Sequence, residues 1–321
     1  MKYIGLHQQI QRNNTNSFLL LIAFPILLLV IFYIIIYFIA KDNASEYPGD
    51  NYPISIDHNA MFLTVVPFIL IGVGIWFLIA WAAHAAFIRF ATGAKPLERK
   101  EHKRVYNLVE NLCISQGMKM PKINIIEDDS LNAFASGIDE KSYTVTLSRG
   151  IINKLNDEEL EGVIAHELSH IRNRDVRVLI ISIIFVGIFA FLAEVAFRSL
   201  RFTGGKKNGK GGGAIILVAI VVTAVAYFIS MLLRFGISRK REFLADAGAA
   251  DMTKKPYALA GALKKISSDP WIEAVENRDV AQLFIDNPTP STHRSASWDN
   301  LFATHPPIGK RIALLEQFSP L

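Results

Sequence analysis

The sequence predicts a mainly α membrane protein: four apolar helices with a small α+β domain following the second. Three observations point there. The chain is 51% hydrophobic and 20% charged, more apolar than an average soluble enzyme. The apolar residues gather in runs rather than spreading evenly. Between the second and third runs, short stretches alternate as strands do.

Phe18 to Ala40 and Ala60 to Ile88 carry no Asp, Glu, Lys or Arg. Each exceeds the ~20 apolar residues a spanning helix needs. The first is too long for a signal-peptide core and no small-residue cleavage site follows, so it reads as a retained anchor. Pro25 and Pro67 lie inside these runs, where neighbouring helices can satisfy the freed backbone groups. Val178 to Ala193 is shorter and stops at Glu194, whereas Ala214 to Leu233 has full length. These two runs either span or form a hairpin that re-enters the bilayer from one side. The resulting organisation is a tail (1–17), a transmembrane hairpin (18–90), an α+β core (91–175), a second apolar hairpin (176–235) and a C-terminal part (236–321).

Net charge is +5. Lys and Arg sit mostly beside the apolar runs, where lipid headgroups and membrane topology place them, with no basic stripe or module that would read nucleic acid. The tail carries Lys2 and Arg12. The first loop sets Lys41 against Asp42, Glu46, Asp50 and Asp57, and the segment after the second run carries Arg89, Lys95, Arg99, Lys100, Lys103 and Arg104. Positive flanks stay in the cytoplasm, so the tail and residues 89–175 are expected there and the first loop on the outside. The loop at 198–213 holds Arg198, Arg201, Lys206, Lys207 and Lys210 with no acid, which favours re-entry or an override by packing. Its GGKKNGKG (204–211) puts Gly211 where a phosphate loop needs Ser or Thr, and reads as a linker. The single cysteine, Cys113, excludes an internal disulfide and a cysteine-based zinc site, and suits a small core residue on the reducing side.

Within the core, Val105, Leu108, Val109, Leu112 and Cys113 recur at helical spacing over 98–116. KINIIE (122–127) alternates as a strand, AFASG is a short extended piece, and SYTVTLS (142–148) is a second alternating, β-branched strand, with IDEK as the turn. Then comes NDEELEGVIAHELSHIRNRD. Asn156 with Glu159 three on is a capping-box pattern, and the acids of the first turn suit the helix dipole. At ~100° per residue, His166 and His170 project ~40° apart, one turn above the other, so both rings reach one metal ion. Glu167 lies ~100° round from His166, placed to touch a bound water rather than to ligate. This is the H-E-x-x-H arrangement; the alternative is a solvated polar face.

Catalytic zinc needs a third protein ligand. No histidine lies at the spacing a three-histidine motif requires. In SRKREFLADAGAAD (238–251), Glu242 and Asp246 stand four apart on an Ala-rich helix. Glu242 suits the metal, and Asp246 suits the far N–H of a ligand histidine. The alternative is a surface ion-pair set of Arg239, Arg241, Glu242 and Asp246. Beside the upstream helix, the ligand reading is the stronger.

LNAFASG (131–137), LNDEELEGVIAHELSHIRNRD (155–175), SRKREFLADAGAA (238–250) and LFATHPPIGKRIALL (301–315) together resemble the HtpX-like membrane zinc endopeptidases, relatives of the CaaX prenyl proteases. The resemblance runs from about residue 95 to the C-terminal end, plus the preceding pair of apolar runs. It implies a zincin-like catalytic domain, a multi-pass place in the cell inner membrane facing the cytoplasm, and degradation of misfolded or unassembled membrane proteins in quality control. It implies one zinc ion (Zn2+) per chain, held by His166, His170 and Glu242, with Glu167 as catalytic base. His305 and Arg311 fall where the family contacts substrate near the scissile carbonyl. Asn132 and Ala133 fall where it pairs with substrate backbone, so an extended peptide is expected against 132–137 or 142–148. From the residues alone, His305 before Pro306 and Pro307 is equally a turn that starts a helix, and Arg311 equally a surface charge. His84 and His293 read as packing or surface residues, and NPTPSTHRSAS (287–297) as a loop near the cleft. Two other functions remain open here. One is a dedicated processing protease for a specific membrane or lipidated protein. The other is a non-enzymatic membrane scaffold or transporter, favoured by Glu194.

Overall fold

The computed structural model describes residues 6–44, 57–203, 220–221, 224–225, 239–268, 283–285 and 306–318. Contacts divide the chain into two compact units. One gathers Met1–Ser17, Ala83–Ile181 and Arg234–Leu321; the other gathers Phe18–Ala82 and Ser182–Leu233.

The second unit is built from helices. α1 (Leu6–Ala44) and α2 (His58–Thr92) contain the first two apolar runs. Among the described residues they are the two helices long and apolar enough to cross a membrane. Leu63, Phe68, Leu78 and Ile79 of α2 are 62–71% exposed. A helix apolar all round yet unburied is a bilayer helix rather than a core helix. The third run is part of one continuous helix, α6 (Asp175–Thr203), where Phe185 stacks on Phe24 of α1 at 4.1 Å. Glu194, the residue that favours a scaffold or transporter, is exposed and pairs with Arg198 one turn on at 2.7 Å. That is an ordinary i,i+4 surface pair. The fourth run lies almost wholly outside the described residues, as do the 204–211 linker and the 287–297 loop.

The first unit carries a four-stranded sheet of order β1-β2-β4-β3. β2 (Lys122–Ile126) pairs parallel with β4 (Thr144–Ser148), with Ile123 opposite Val145 and Ile125 opposite Leu147. β3 (Ala133–Ser136) returns antiparallel along β4, and β1 (Lys95–Pro96) flanks β2. The IDEK turn closes because Gly137 (φ +117°) admits no Cβ against Ser142, while Asp139 accepts from Lys141 and Ser142. Two expectations change. The helix over 98–116 starts later, as α3 (Lys103–Ser115), because a turn takes its first residues, with Glu101 N and His102 N both donating to Glu98 O. And 142–148 cannot receive a peptide, because β4 is an interior strand with both edges paired.

α4 (Arg149–Lys154) leads from β4 to α5 (Asp157–Asn173). Asn156 Oδ1 accepts from Glu159 N at 2.9 Å and Glu159 Oε2 accepts from Asn156 N at 3.0 Å, a complete capping box. α5 packs against β3, α7 (Arg239–Thr253) and α8 (Pro256–Ile266). α7 approaches through small residues. Ala245 and Ala249 are fully buried, and a Cβ on Gly248 would collide with Ser169 of α5. α9 (Ile308–Gln317) lies on α7 and α8.

Candidate metal centre

α5 sets His166 and His170 one turn apart, buried and nearly buried, with ring planes at 88° and centroids 4.7 Å apart. Their Nε2 atoms face each other at 3.2 Å. α7 brings Glu242 opposite both, Oε2 at 3.6 Å from His166 Nε2 and Oε1 at 3.4 Å from His170 Nε2. One ligand atom from each of the three lies within 4.8 Å of the others. Donors at ~2.0–2.1 Å around a tetrahedral ion stand ~3.3 Å apart, so these spacings fit one zinc. The chemistry fits as well. Two imidazole nitrogens face each other at 3.2 Å with a carboxylate opposite both, a donor set that suits a cation.

The surrounding carboxylates draw positive charge to the two rings. Burial works against charge on His166, but hydrogen bonds with Asp246 and Glu242 outweigh it and raise its pKa. His170 is raised further, burial again being outweighed, here by Asp175 and Glu242. Glu167 is 1% exposed and lines the same cavity as His166, His170 and Glu242. It stands outside the converging donors, and burial pushes its carboxyl pKa up.

Behind the rings lie further carboxylates. Asp246 Oδ1 is 3.0 Å from His166 Nδ1, and Asp175 Oδ2 is 3.3 Å from His170 Nδ1. Arg311 of α9 clamps Asp246 with two bonds, Nη2 to Oδ1 at 2.7 Å and Nε to Oδ2 at 2.9 Å, and donates to Ile285 O at 3.1 Å. The surface-charge reading of Arg311 is therefore overturned: it is 1% exposed, and Arg241, Glu242 and Asp246 are 4–8% exposed rather than an outer ion-pair set. Burial raises the cost of ionising Asp246, but the Arg311 charge and bonds, with His166, hold its pKa below the usual carboxylate range.

The structure thus brings His166, Glu167, His170, Glu242, Asp246 and Arg311 together. Asn132 and Ala133 are buried beside α5 at β3. Ala133 O accepts from Ile285 N at 2.9 Å, and Phe284 bridges Phe134, so part of the outer edge of β3 is already taken. His305 lies outside the described residues. Sequence reasoning misses Asp175. The signal for it is slight: an Asp five after His170, reached through Arg174 in a left-handed conformation (φ 60°) that more often marks Gly or Asn.

Membrane helices and a helix-borne His-Glu-x-x-His set completed by a glutamate define a membrane metalloprotease. Comparison with known proteins gives the same class. The sequence profile of peptidase family M48 matches residues 99–319. A "Protease HtpX homolog" of Bacteroides fragilis is 58% identical over 323 residues, covering 99% of this chain and 100% of that one. Another of that name, from Thermoanaerobacter pseudethanolicus, is 35% identical over 262 residues, covering 80% and 86%. The chain belongs to peptidase family M48. Among solved structures, S. mikatae Ste24p aligns with a TM-score of 0.48 and 20% identity, over 88% of this chain and 62% of that one. The chain thus spans less than two thirds of that protein.

Proposed function

We propose that the chain is a multi-pass, zinc-dependent endopeptidase of the cell inner membrane. On this reading it has a zincin-like catalytic domain in the cytoplasm and hydrolyses peptide bonds of misfolded or unassembled membrane proteins. The observation that carries it is the convergence of His166 Nε2, His170 Nε2 and Glu242 on one point, with Glu167 beside them in the same cavity. These three residues would hold one zinc ion, which supplies Lewis acidity toward water and a substrate carbonyl.

The chain's own residues do the rest. Glu167, buried and with a raised pKa, takes the proton of the attacking water and hands it to the departing amine. Asp246 and Asp175 hold the imidazoles with their Nε2 atoms free to ligate. Arg311, whose Nη1 stands 3.4 Å from Glu242 Oε2, and His305 stabilise negative charge developing on the substrate oxygen. Ala133 begins the strand that borders the cavity, and Asn132 directly precedes it. A peptide read there by main-chain hydrogen bonds would meet little sequence preference, which suits turnover of damaged proteins. It would share that edge with Leu283–Ile285 or displace them.

The test is cleavage of an unfolded protein by the detergent-purified chain, wild type beside Glu167→Gln, with zinc content measured on both. Wild-type cleavage and a loss of at least ~10²-fold in the zinc-loaded variant is expected. Stoichiometric zinc with no cleavage by wild type would point to a dedicated processing role or a structural metal. A chain that takes up no zinc would sink the metal centre.

A further inference from the structure

Each ligand ring has its own carboxylate behind it, but only one of the two is anchored by Arg311. The other, Asp175, opens α6 immediately after the left-handed Arg174. That reversal returns its carboxylate to the ring five residues earlier. Oδ2 faces His170 Nδ1 at 3.3 Å. Oδ1 is held from a distant part of the chain: Asn13 Nδ2 donates to it at 2.7 Å and to Asn173 O at 2.7 Å. Arg241 Nε is 3.8 Å from the same oxygen. Both of Asn13's neighbours are acceptors, which fixes the amide nitrogen toward them and uses both of its hydrogens. Asn13 is 1% exposed and Asp175 5% exposed. Asn13 lies on α1 ahead of the apolar run, in the segment that the sequence reads as a plain tail.

We infer that Asn13 and Asp175 are positioning residues of the metal centre: Asn13 fixes the Asp175 carboxylate, and Asp175 fixes the orientation and tautomer of His170. This rests on His170 being a metal ligand. An imidazole that ligates through Nε2 carries its proton on Nδ1, and a carboxylate accepting that proton makes the ring a stronger ligand. Asp175 has one oxygen for the ring and one for a second donor. Without Asn13, that carboxylate is left with Arg241 at 3.8 Å and is free to rotate away from His170. The start of α1 is thereby a structural part of the site, 157 residues distant in sequence from the ring it steadies (170 less 13).

The full chain in detergent is titrated with zinc alone against a chromogenic chelator, and the Co2+-loaded protein is read by visible absorption. The variants are Asp175→Ala, Asn13→Ala, the double variant and Asn14→Ala. Asn14 accepts from Arg174 Nη1 at 2.9 Å and so reports docking of α1 alone. Asp175→Ala is expected to weaken zinc binding ~10–100-fold, and Asn13→Ala about fivefold, the scale of one hydrogen bond. Both should shift the Co2+ spectrum. The double variant should be no weaker than Asp175→Ala, since the two residues act in series, and Asn14→Ala should bind as wild type does. Unchanged affinity in Asn13→Ala, full additivity in the double variant, or equal loss in Asn14→Ala would each overturn the inference. Zinc-free melting is recorded throughout, and Asp175→Asn replaces Asp175→Ala should the latter not fold. Wild type that binds no zinc overturns the metal centre and this inference together.

Discussion

Arg311 is a guanidinium at 1% exposure, and its tolerance there rests chiefly on Asp246, which takes two of its N–H groups. The same carboxylate faces His166. Asp246→Ala should therefore fail in two ways at once. Breaking a buried pair from one side leaves the guanidinium with the more distant Glu242 carboxylate at 3.4 Å in place of its bidentate partner, a loss toward the lower end of about 3–5 kcal/mol, measurable by denaturant or thermal unfolding in detergent. On the proposed zinc reading, losing the partner of the His166 imidazole should also weaken zinc binding ~10–100-fold. Arg311→Ala removes the first cation but leaves the His166 contact, so it should cost stability with a smaller change in zinc affinity. The pH dependence follows from the same carboxylate. Its folded pKa is held down by Arg311, below the ~3.9 of an unfolded Asp. The stability it contributes is full above that value and drains away as pH falls through the folded one. Asp246→Asn should flatten that part of the acid limb in an unfolding-versus-pH series. An unchanged limb would mean other carboxylates govern it.

The site is assembled by two helices that meet closely, α5 and α7, and each suggests a test. The Asn156 cap satisfies N-terminal donors of α5 and touches no ligand, so Asn156→Ala should cost about 1 kcal/mol and leave zinc affinity intact. Gly248 differs. A side chain there drives into Ser169, one residue before His170, while Glu242 rides on the same helix. Gly248→Val should cost about 1–3 kcal/mol as overpacking and also weaken zinc binding by moving Glu242 from the histidines, a pairing of effects that Asn156→Ala should not show. These elements were unevenly legible. α5 could be read because its cap chemistry and apolar period agree. β2 and β4 could be read because alternation and β-branching agree. The partnership of Glu242 with the histidines followed from ligand chemistry, with no local pattern to announce it. β1 was too short to carry a period, and the turn at Arg174 lacks the glycine that would mark it. The burial of Arg311 depends on α9 packing on α7, which no window of sequence contains. The pairing of Phe284 with Phe134 is likewise a contact between segments 150 residues apart (284 less 134).

Taken whole, two helices among the described residues are long and apolar enough to cross a membrane, their flanking charges predict one orientation, and an independent contact is consistent with it. Arg89 to Arg104 is a net basic segment and the 41–57 loop an acidic one, the charge pattern on which the proposed cytoplasmic place of the residues after α2 rests. Separately, Asn13 hydrogen-bonds Asp175, so the start of α1 and the metal centre must share a side. An even number of crossings between them satisfies that, and α1 and α2 supply two if both cross. Cysteine labelling can test the result cleanly, because the native thiol is silent. Cys113 is 2% exposed, and burial pushes its pKa to about 11, so little reactive thiolate exists. Asp57 and Lys100 are both exposed, and cysteines there serve as reporters. In intact cells, a membrane-impermeant maleimide should label Asp57→Cys and spare Lys100→Cys until the membrane is opened. The reverse pattern would put the metal centre outside and remove the cytoplasmic reading. A third reporter at Asn208, within the basic 198–210 stretch of sequence, extends the same logic to the third and fourth apolar runs. Five positive charges between Arg198 and Lys210 resist export, so labelling that follows Lys100→Cys is expected from a re-entrant pair, whereas labelling that follows Asp57→Cys would show both runs crossing against the charge rule.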